Sequence, residues 1–302
     1  MANTKEIKNR IKSVHDTQKI TNAMYLIAST KMQKAKGELD NTKPYFSALK
    51  EEIKRIFRHA NGVSSQYFFP PSEKDELEGT YGILIITADK GLAGAYNQNV
   101  IKEAQKIIDE HKDVKLYVVG EYGRHYFDAH QIPIEHNFVY TAQNPTLGRA
   151  REICDVLLED FKRHKLVKIF AVYTDFRGGL NGGEASSLRL IPFHRSHFYS
   201  DDQYADDPVF EFEPSIEEVL DNIMPSYISG FIYSALVDSF CSEQNARMTA
   251  MDAANQNAQE LLEKLRLEYN YIRQGAITQE ITEISSGAKA LKKKRKKQEG
   301  GK

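Results

Sequence analysis

Hydrophobic residues recur every three or four positions over the first sixty residues of the chain. Polar residues fill most positions between them, and polar Gln18 and Thr21 fall on the apolar series itself. The mean spacing is about 3.5 residues, which is the period of α-helices that wind around one another. The pattern predicts one long helix that starts near Asn3 or Thr4 and ends near His59. The apolar positions are Ile7, Ile11, Val14, Tyr25, Ala28, Met32, Ala35, Leu39, Phe46, Leu49, Ile53 and Ile56.

A second apolar series with the same spacing lies near the C-terminus and predicts a helix over residues 214–291. Pro214 suits the first turn of that helix, whereas Pro225 predicts a kink or a later start. In the first helix, Pro44 predicts a kink or an interruption at Asp40–Lys43. The second series consists of Met251, Ala254, Ala258, Leu261, Leu265, Tyr269, Ile272 and Ala276.

The middle of the chain alternates strand patterns with amphipathic helical patterns, which is typical of a mostly parallel sheet covered by helices. The predicted fold class is therefore α plus α/β: a long antiparallel coiled coil of the N- and C-terminal helices with an inserted Rossmann-like α/β domain. An antiparallel pair is expected because a chain usually enters and leaves a compact domain at nearby points. The predicted strands are Tyr81–Thr87, Lys115–Val119, Val167–Tyr173 and Ser187–Phe193, and the predicted helices are Val100–His111, a short one at 121–130, and Leu147–His164.

These patterns divide the chain into six predicted segments. Asn61-Gly62 is a natural end for the first helix, and Pro70-Pro71 marks a linker. The segments are an N-terminal helix (1–60), a linker (61–80), the α/β domain (81–195), an irregular acidic connector (196–213), the C-terminal helix (214–291) and a disordered basic tail (292–302).

The predicted C-terminal helix is longer than the N-terminal one. At about 1.5 Å per residue, and with both helices starting from one domain, roughly 24 residues of the longer helix have no partner helix. This overhang corresponds approximately to Glu268–Leu291, where small, apolar or weakly polar residues dominate. A lone helix in water normally carries more charge, so the pattern predicts that another protein surrounds the overhang.

Composition excludes several classes of protein. The chain has 302 residues, of which 41% are hydrophobic and 27% charged, so a packed core is predicted rather than disorder. No apolar run approaches the roughly 18–20 residues that span a bilayer, which predicts no direct membrane insertion. The N-terminus lacks the pattern of an organelle import signal. Cys154 and Cys241 are expected to be buried or inert thiols in a reducing compartment.

Several functions stay open on the residues alone. Asp89–Gly94 follows a strand and could suggest a phosphate loop, but the chain has neither GxGxxG nor GK[ST]. The basic block Lys292–Lys297 could attract nucleic acid, although it lacks interleaved aromatic residues. His194 and His197 have the spacing of a metal-binding pair without a clear third ligand. A coiled-coil scaffold that associates with itself is the remaining alternative.

Four stretches of the chain resemble signature sequences of the gamma subunit of F-type ATP synthases of bacterial type. The strip Ile277–Glu283, followed by Gly287-Ala288, resembles the C-terminal signature of that family. The stretches Thr17–Met24, Ala88–Gly94 and Ser242–Met251 resemble its other signatures and occur in the family's order. The resemblance therefore covers nearly the whole chain.

The resemblance implies a rotor shaft that couples rotation of a membrane ring to ATP synthesis elsewhere in a complex. In this family the terminal helices lie inside a ring of three alpha and three beta subunits, while the α/β domain contacts the epsilon subunit and the c ring of F0. The implied protein is non-catalytic, binds no cofactor, metal or nucleic acid, and serves proton transport. It would be peripheral, on the cytoplasmic face of the bacterial cell membrane.

The resemblance also assigns contact residues by position. Arg273, Gln274, Thr278 and Glu280 would form an angle-dependent catch with a beta subunit, and Met24 and Arg247 would be shaft contacts. An apolar tip would turn inside a collar of other subunits, because hydrophobic contact has no preferred direction. The basic face of the N-terminal helix, including Lys8, Lys12, Lys19 and Lys31, could face acidic loops of the beta subunits. The tip residues are Ala276, Ile277, Ile281, Ile284 and Ala288.

Overall fold

The structure is a computed structural model, and it describes residues 4–59, 65–69, 78–111, 113–176, 183–194, 198 and 212–299, without the side chains of residues 58, 59 and 292–299. Most of the predicted linker and of the predicted acidic connector therefore lies outside the described residues. The described elements are α1 (Thr4–His59), β1 (Tyr81–Ile86), α2 (Tyr96–Glu110), β2 (Val114–Val119), α3 (Glu121–Ala129), α4 (Leu147–Lys162), β3 (Lys168–Asp175), β4 (Glu184–Ile191) and α5 (Ile216–Glu299).

The chain divides into two compact units. The first unit, which we call the helical unit, contains Met1–Tyr25 and Met251–Lys302. The second unit, which we call the sheet unit, contains Leu26–Ala250. The long helices α1 and α5 each contribute residues to both units.

Both long helices continue through their prolines. α1 includes Pro44 without a break at Asp40–Lys43, so the predicted interruption is wrong. α5 begins at Ile216 and includes Pro225 in its interior. It ends at Glu299, so the helix also includes the first part of the tail that the sequence predicts to be disordered.

A four-stranded sheet forms the centre of the sheet unit, with strand order β2-β1-β3-β4. β1 pairs in parallel with β2 and β3, and β4 pairs antiparallel to β3. The prediction of a mostly parallel sheet is confirmed. The strand order reverses between β1 and β3, because β2 and β3 lie on opposite sides of β1.

Helices cover both faces of this sheet, and the side-chain alternation of a strand explains how. Leu84 and Ile86 of β1 join a cluster formed with α1, α4 and α5. Ile83 and Ile85 point to the other face and join a cluster formed with α2 and α3. β1 is buried along its whole length, which accounts for its continuous apolar sequence.

Within the sheet unit, α1 and α5 run antiparallel. The Cys241 thiol donates to the carbonyl oxygen of Met32 at 3.8 Å, and further along, the Phe46 ring lies against Gly230. A Cβ atom added to Gly230 would lie 2.1 Å from Cδ1 of Phe46, so the helices approach closely only because residue 230 has no side chain. The contact residue on α1 rises from 32 to 46 while the one on α5 falls from 241 to 230, so the two helices are antiparallel.

The same two helices also pair within the helical unit. The Thr21 hydroxyl bonds Oδ1 of Asn255. An antiparallel alignment through this contact places Ile7 opposite Tyr269 and Val14 opposite Leu262, and all four side chains are buried or half-buried. The apolar series of α1 is therefore confirmed as a packing surface, and polar Gln18 and Thr21 belong to it.

One position of the predicted α5 series is wrong. Leu262 is 2% exposed and Leu261 is 37% exposed, so Leu262 is the packing residue. A strict three-four alternation from Ala258 selects Leu261, but the local step along the packing face is four residues. Both leucines are apolar, and the sequence alone does not separate them.

A charged network anchors one edge of the sheet. The Asp160 carboxylate of α4 accepts hydrogen bonds from Lys115 at 2.8 Å, Lys165 at 2.9 Å and the Tyr117 hydroxyl at 2.6 Å. Lys115 also pairs with Glu135 at 2.8 Å. Burial alone would raise the pKa of Asp160, but these hydrogen bonds outweigh it and hold the pKa well below its usual range.

Both cysteines lie in the core of the sheet unit. Burial raises the pKa of each thiol to about 12. The thiolate is the reactive form of cysteine, so both side chains are inert in the folded chain.

Candidate functional site

The exposed end of α5 contains most of the sequence-predicted contact residues. From Arg273 to Leu291 every described side chain is exposed, whereas Ile272 just before it is half-buried. The predicted tip therefore has no packing partner within the described chain. Ile281 is 62% exposed and Ile284 is 73% exposed, which is unusual for isoleucine on a soluble surface.

The exposed apolar residues form a stripe that is longer than the predicted tip. Its members run from Leu267 to Leu291. At about 100° per residue they fall on roughly one half of the helix circumference. At about 100° per residue, Leu267 and Tyr271 lie roughly opposite the packing positions Leu265 and Tyr269. Sequence reasoning missed the two ends of this stripe, although a search for a second apolar series on α5 would have found them. The stripe consists of Leu267, Tyr271, Ile277, Ile281, Ile284 and Leu291.

The four predicted catch residues lie on this exposed end, and Gly275 and Ala276 are among the residues between them. The Thr278 hydroxyl donates to the carbonyl oxygen of Gln274 at 2.9 Å, as hydroxyls on exposed helices commonly do. Arg273 and Glu280 are exposed and have no ion-pair partner among the described side chains. Two opposite charges seven residues apart lie on one face, about 10 Å apart along the axis, and could each bind a separate group of another protein.

Two glycines on the exposed end have no role in packing within the chain. A Cβ atom added at Gly275 or Gly287 would meet nothing within 4 Å. Glycine inside a helix costs about 1 kcal/mol relative to alanine, and nothing in the described chain offsets that cost. Absent side chains at these positions leave room for another surface to approach the backbone.

Neither predicted shaft contact belongs to the exposed end, and the two residues fall in different units. Met24 is half-buried on α1 in the helical unit. Arg247 belongs to the sheet unit and is only 9% exposed, so it does not project from an open helix face. Sequence spacing cannot show this difference, because both residues fall on long helices.

Arg247 instead lies in a polar junction between α5 and the loops of the sheet. Its guanidinium pairs with the Glu243 carboxylate at 2.6 Å and donates to the carbonyl oxygen of Gly91 at 3.1 Å. Glu243 is almost fully buried, and burial raises its pKa despite the opposing charge of Arg247. Nearby, the Ser239 hydroxyl accepts from the backbone N–H of Thr174 at 3.2 Å.

The Asp89–Gly94 loop is organised by its own first residue. The Asp89 carboxylate accepts from the backbone N–H groups of Glu121, Ala142 and Gln143 at 3.1–3.2 Å, and from the Thr141 hydroxyl. Sequence reasoning considered this loop as a phosphate site and missed this role of Asp89. The aspartate beside the strand end was the available signal.

This arrangement argues against phosphate binding at the loop. In open parallel sheets, ligands bind at the carboxyl ends of strands where the strand order reverses, here between β1 and β3. That edge holds the carboxylate of Glu243 and the carboxylate of Asp89, and the latter occupies backbone N–H groups that a phosphate would need. A phosphate would meet negative charge in place of free donors.

Neither a candidate metal site nor a candidate membrane span is found among the described residues. No group of three or more His, Cys, Asp or Glu side chains within the described ranges could hold a metal ion. His197, half of the pair considered from sequence, lies outside those ranges. Among the described helices, none has a stretch long and apolar enough to cross a bilayer.

Comparison with known proteins gives a consistent result over nearly the whole chain. A family model described as ATP synthase matches residues 3–291. The ATP synthase gamma chain of Caldanaerobacter subterraneus subsp. tengcongensis is 43% identical over 293 residues, covering 94% of this chain and 98% of the relative. A gamma chain of Acetobacterium woodii described as sodium ion specific is 33% identical and covers 96% of this chain and 99% of its own length.

The fold has known counterparts among solved structures. A chain from the central stalk and c-ring structure of the Tetrahymena thermophila mitochondrial ATP synthase matches with a TM-score of 0.55. The match covers 78% of this chain and 99% of that chain at 20% sequence identity. At this identity the likeness concerns the fold.

Proposed function

The chain belongs to the ATP synthase gamma-chain family, and from that premise we propose that it is the central rotor shaft of the F1 part of an ATP synthase. In this role the shaft turns inside a ring of three alpha and three beta subunits and forces the catalytic beta subunits through their binding states. The observation that carries the proposal is the exposed end of α5, whose apolar stripe has no partner in the described chain.

The stripe and the glycines suit a bearing. Burial of one isoleucine side chain contributes about 1.5–3 kcal/mol of binding free energy. This hydrophobic attraction has no preferred angle. Ala276, Ile277, Ile281, Ile284 and Ala288 can therefore be centred by an apolar collar and still rotate. Gly275 and Gly287 allow that collar to approach the helix closely.

The catch residues supply the angular preference that the stripe lacks. The catch residues offer exposed charged, amide and hydroxyl groups to a beta subunit. They are Arg273, Gln274, Thr278 and Glu280. A hydrogen bond to a charged group contributes about 1.5–3 kcal/mol, enough to favour one orientation without locking the rotor. Met24 of α1 contributes a further apolar contact with the surrounding ring.

The basic face of α1 adds electrostatic complementarity. Lys8, Lys12 and Lys19 are exposed, and Lys19 has only a surface pair with Asp16 at 3.5 Å. Such lysines attract acidic loops of beta subunits and contribute more to orientation than to affinity. Lys31 differs, because its ammonium group already donates to the side-chain carbonyl of Gln143 at 3.3 Å.

The other partners follow from the same role. The sheet unit contacts the epsilon subunit and the c ring, which places the chain at the cytoplasmic face of a bacterial membrane as a peripheral protein. We assign proton transport to the complex, although the coupling ion is chosen by other subunits and one relative is described as sodium ion specific. The chain itself catalyses no step and takes no cofactor.

Co-expression with alpha and beta subunits tests this proposal. We expect a complex with one copy of this chain per three alpha and three beta subunits, measured by native mass spectrometry. The purified single chain should hydrolyse no ATP, whereas the complex should hydrolyse ATP and rotate a bead attached to the sheet unit. Turnover by the single chain, or its self-association without binding alpha and beta, would refute the shaft and favour an enzyme or a scaffold.

A further inference from the structure

We propose that Glu243 and Arg247 form a lock that fixes α5 to the carboxyl edge of the sheet, so that torque passes between the sheet and the helices without slippage. Arg247 is then a positioning residue of the rotor rather than a contact with the ring. This inference rests on the proposed shaft function, since a lock against torque has a purpose only in a rotating part.

The geometry of Arg247 joins two elements through one side chain. One terminal nitrogen of its guanidinium pairs with Glu243 on the preceding turn of α5, and the other donates to the carbonyl oxygen of Gly91. The ion pair with Glu243 keeps the planar guanidinium on α5, and the guanidinium hydrogen bond fixes the Gly91 carbonyl, which a lysine ammonium cannot do together. The loop after β1 therefore has one defined position on α5.

The loop that Arg247 holds is itself braced. Asp89 ties it to the segment Thr141–Gln143 and to the start of α3, and Lys31 of α1 donates to Gln143. A continuous set of hydrogen bonds thus links α5, the β1–α2 loop, a second loop and α1. All of these residues belong to the sheet unit.

The polarity of this junction indicates that geometry, not stability, is its role. A buried ion pair often contributes little net stability, because both charges lose their hydration, and apolar residues of similar size can replace it without loss. The directional hydrogen bond from Arg247 to the Gly91 carbonyl oxygen nevertheless selects one arrangement over others. Hydrophobic contact at the same place would hold the sheet on α5 but would let it turn.

The test compares two variants that distinguish loss of the lock from loss of folding stability. Arg247→Lys keeps the positive charge but cannot reach Glu243 and Gly91 together. The double variant Glu243→Leu, Arg247→Met replaces the pair by apolar side chains. Lys106→Gln is the matched control, because it removes the surface pair Lys106–Glu103 at 2.7 Å, which lies within α2 alone.

Two measurements are made on each variant. Hydrogen exchange of the loop peptide that covers Asp89–Gly94 is followed in the full-length chain, and we expect it to accelerate about tenfold in both lock variants, because a charge-assisted bond is lost. In the assembled complex, the angular spread of a bead on the sheet unit should widen while the rotor is paused. The melting temperature of the double variant should stay near that of the wild type.

The outcomes separate the lock from the shaft. If loop exchange and angular spread in both lock variants match the Lys106→Gln control, the lock is refuted even though the wild type rotates. If the wild-type complex does not form or rotate, the proposed function fails, while exchange in the single chain still tests the contact. If the double variant does not fold, the Arg247→Lys variant alone tests the lock. Loop exchange at the wild-type rate in that variant would refute the lock.

Discussion

Two parts of the same helix, α5, carry similar apolar residues that differ in their exposure to solvent. Between Leu220 and Cys241 the isoleucines and leucines pack in the core of the sheet unit, where all are buried except half-buried Ile223. Between Arg273 and Leu291 the isoleucines and Leu291 are exposed. The first part buries its apolar residues within the chain. The apolar residues of the second part pack on nothing within the described chain, and the proposed contact with surrounding subunits accounts for them.

Removing the exposed part gives the largest expected effect on function and the smallest on folding. We expect a chain truncated before Gly275 to melt at the wild-type temperature, because the removed residues pack on nothing within the described chain. In the complex, the ratio of ions pumped to ATP hydrolysed should fall to a small fraction of the wild-type value. A truncated chain that aggregates or shows no cooperative melting would contradict the comparison.

The same substitution in the two parts measures the difference directly. Ile232→Ala removes side-chain atoms that are 0% exposed and should cost about 2–5 kcal/mol of unfolding free energy through lost burial and a cavity. Ile284→Ala should change it by less than about 0.5 kcal/mol, because that side chain already faces water. Denaturant titration of both full-length variants gives the two values, and equal costs would show that Ile284 is buried in the single chain.

Acid should act on the sheet unit through Asp160. The folded pKa of this carboxyl is depressed, so its stabilisation is present above the unfolded pKa of about 3.9 and is lost as pH falls from there through the folded pKa. Asp160→Asn should cost about 1.5–3 kcal/mol at pH 7 and should flatten the loss of stability below pH 4. Denaturant midpoints between pH 7 and pH 3 test this, and parallel pH profiles for variant and wild type would exclude it.

The smallest effect concerns the glycines of the exposed end. Gly287→Ala should stabilise the helix by up to about 1 kcal/mol in the single chain, since alanine is the better helix former and nothing opposes its Cβ. In the complex the added methyl should slow rotation if the collar approaches the backbone there. Helicity by circular dichroism and rotation rate are the two measurements, and an unchanged rotation rate would remove Gly287 from the bearing.

Most of the fold was accessible from the sequence because its signals are periodic and local. The packing series of α1, from Ile7 to Ile56, lies where the 3.5-residue spacing predicts. The choice between Leu261 and Leu262 failed because two adjacent apolar residues satisfy the same pattern. The predicted interruption of α1 at Asp40–Lys43 was wrong because tertiary packing on both sides of Pro44, at Leu39 and Phe46, offsets the local cost of a proline in a helix.

The candidate site was predictable only where it is exposed. An apolar residue such as Ile281 on a helix end with few charges is visible in the sequence as a residue that needs a packing partner. The junction at Arg247 was not, because its partner Gly91 lies 156 positions away along the chain. The role of Asp89 depends equally on contacts with distant loops, which no spacing rule encodes.

The contact between Gly230 and Phe46 has a consequence for how this chain can change. The ring fills the volume that any side chain at position 230 would need, so the two positions cannot vary independently. Alanine at position 230 requires a smaller residue at position 46. A smaller residue at position 46, with glycine kept at 230, leaves a void between the helices. A library that randomises position 230 alone should therefore return glycine, while a library that randomises both positions should also return compensated pairs.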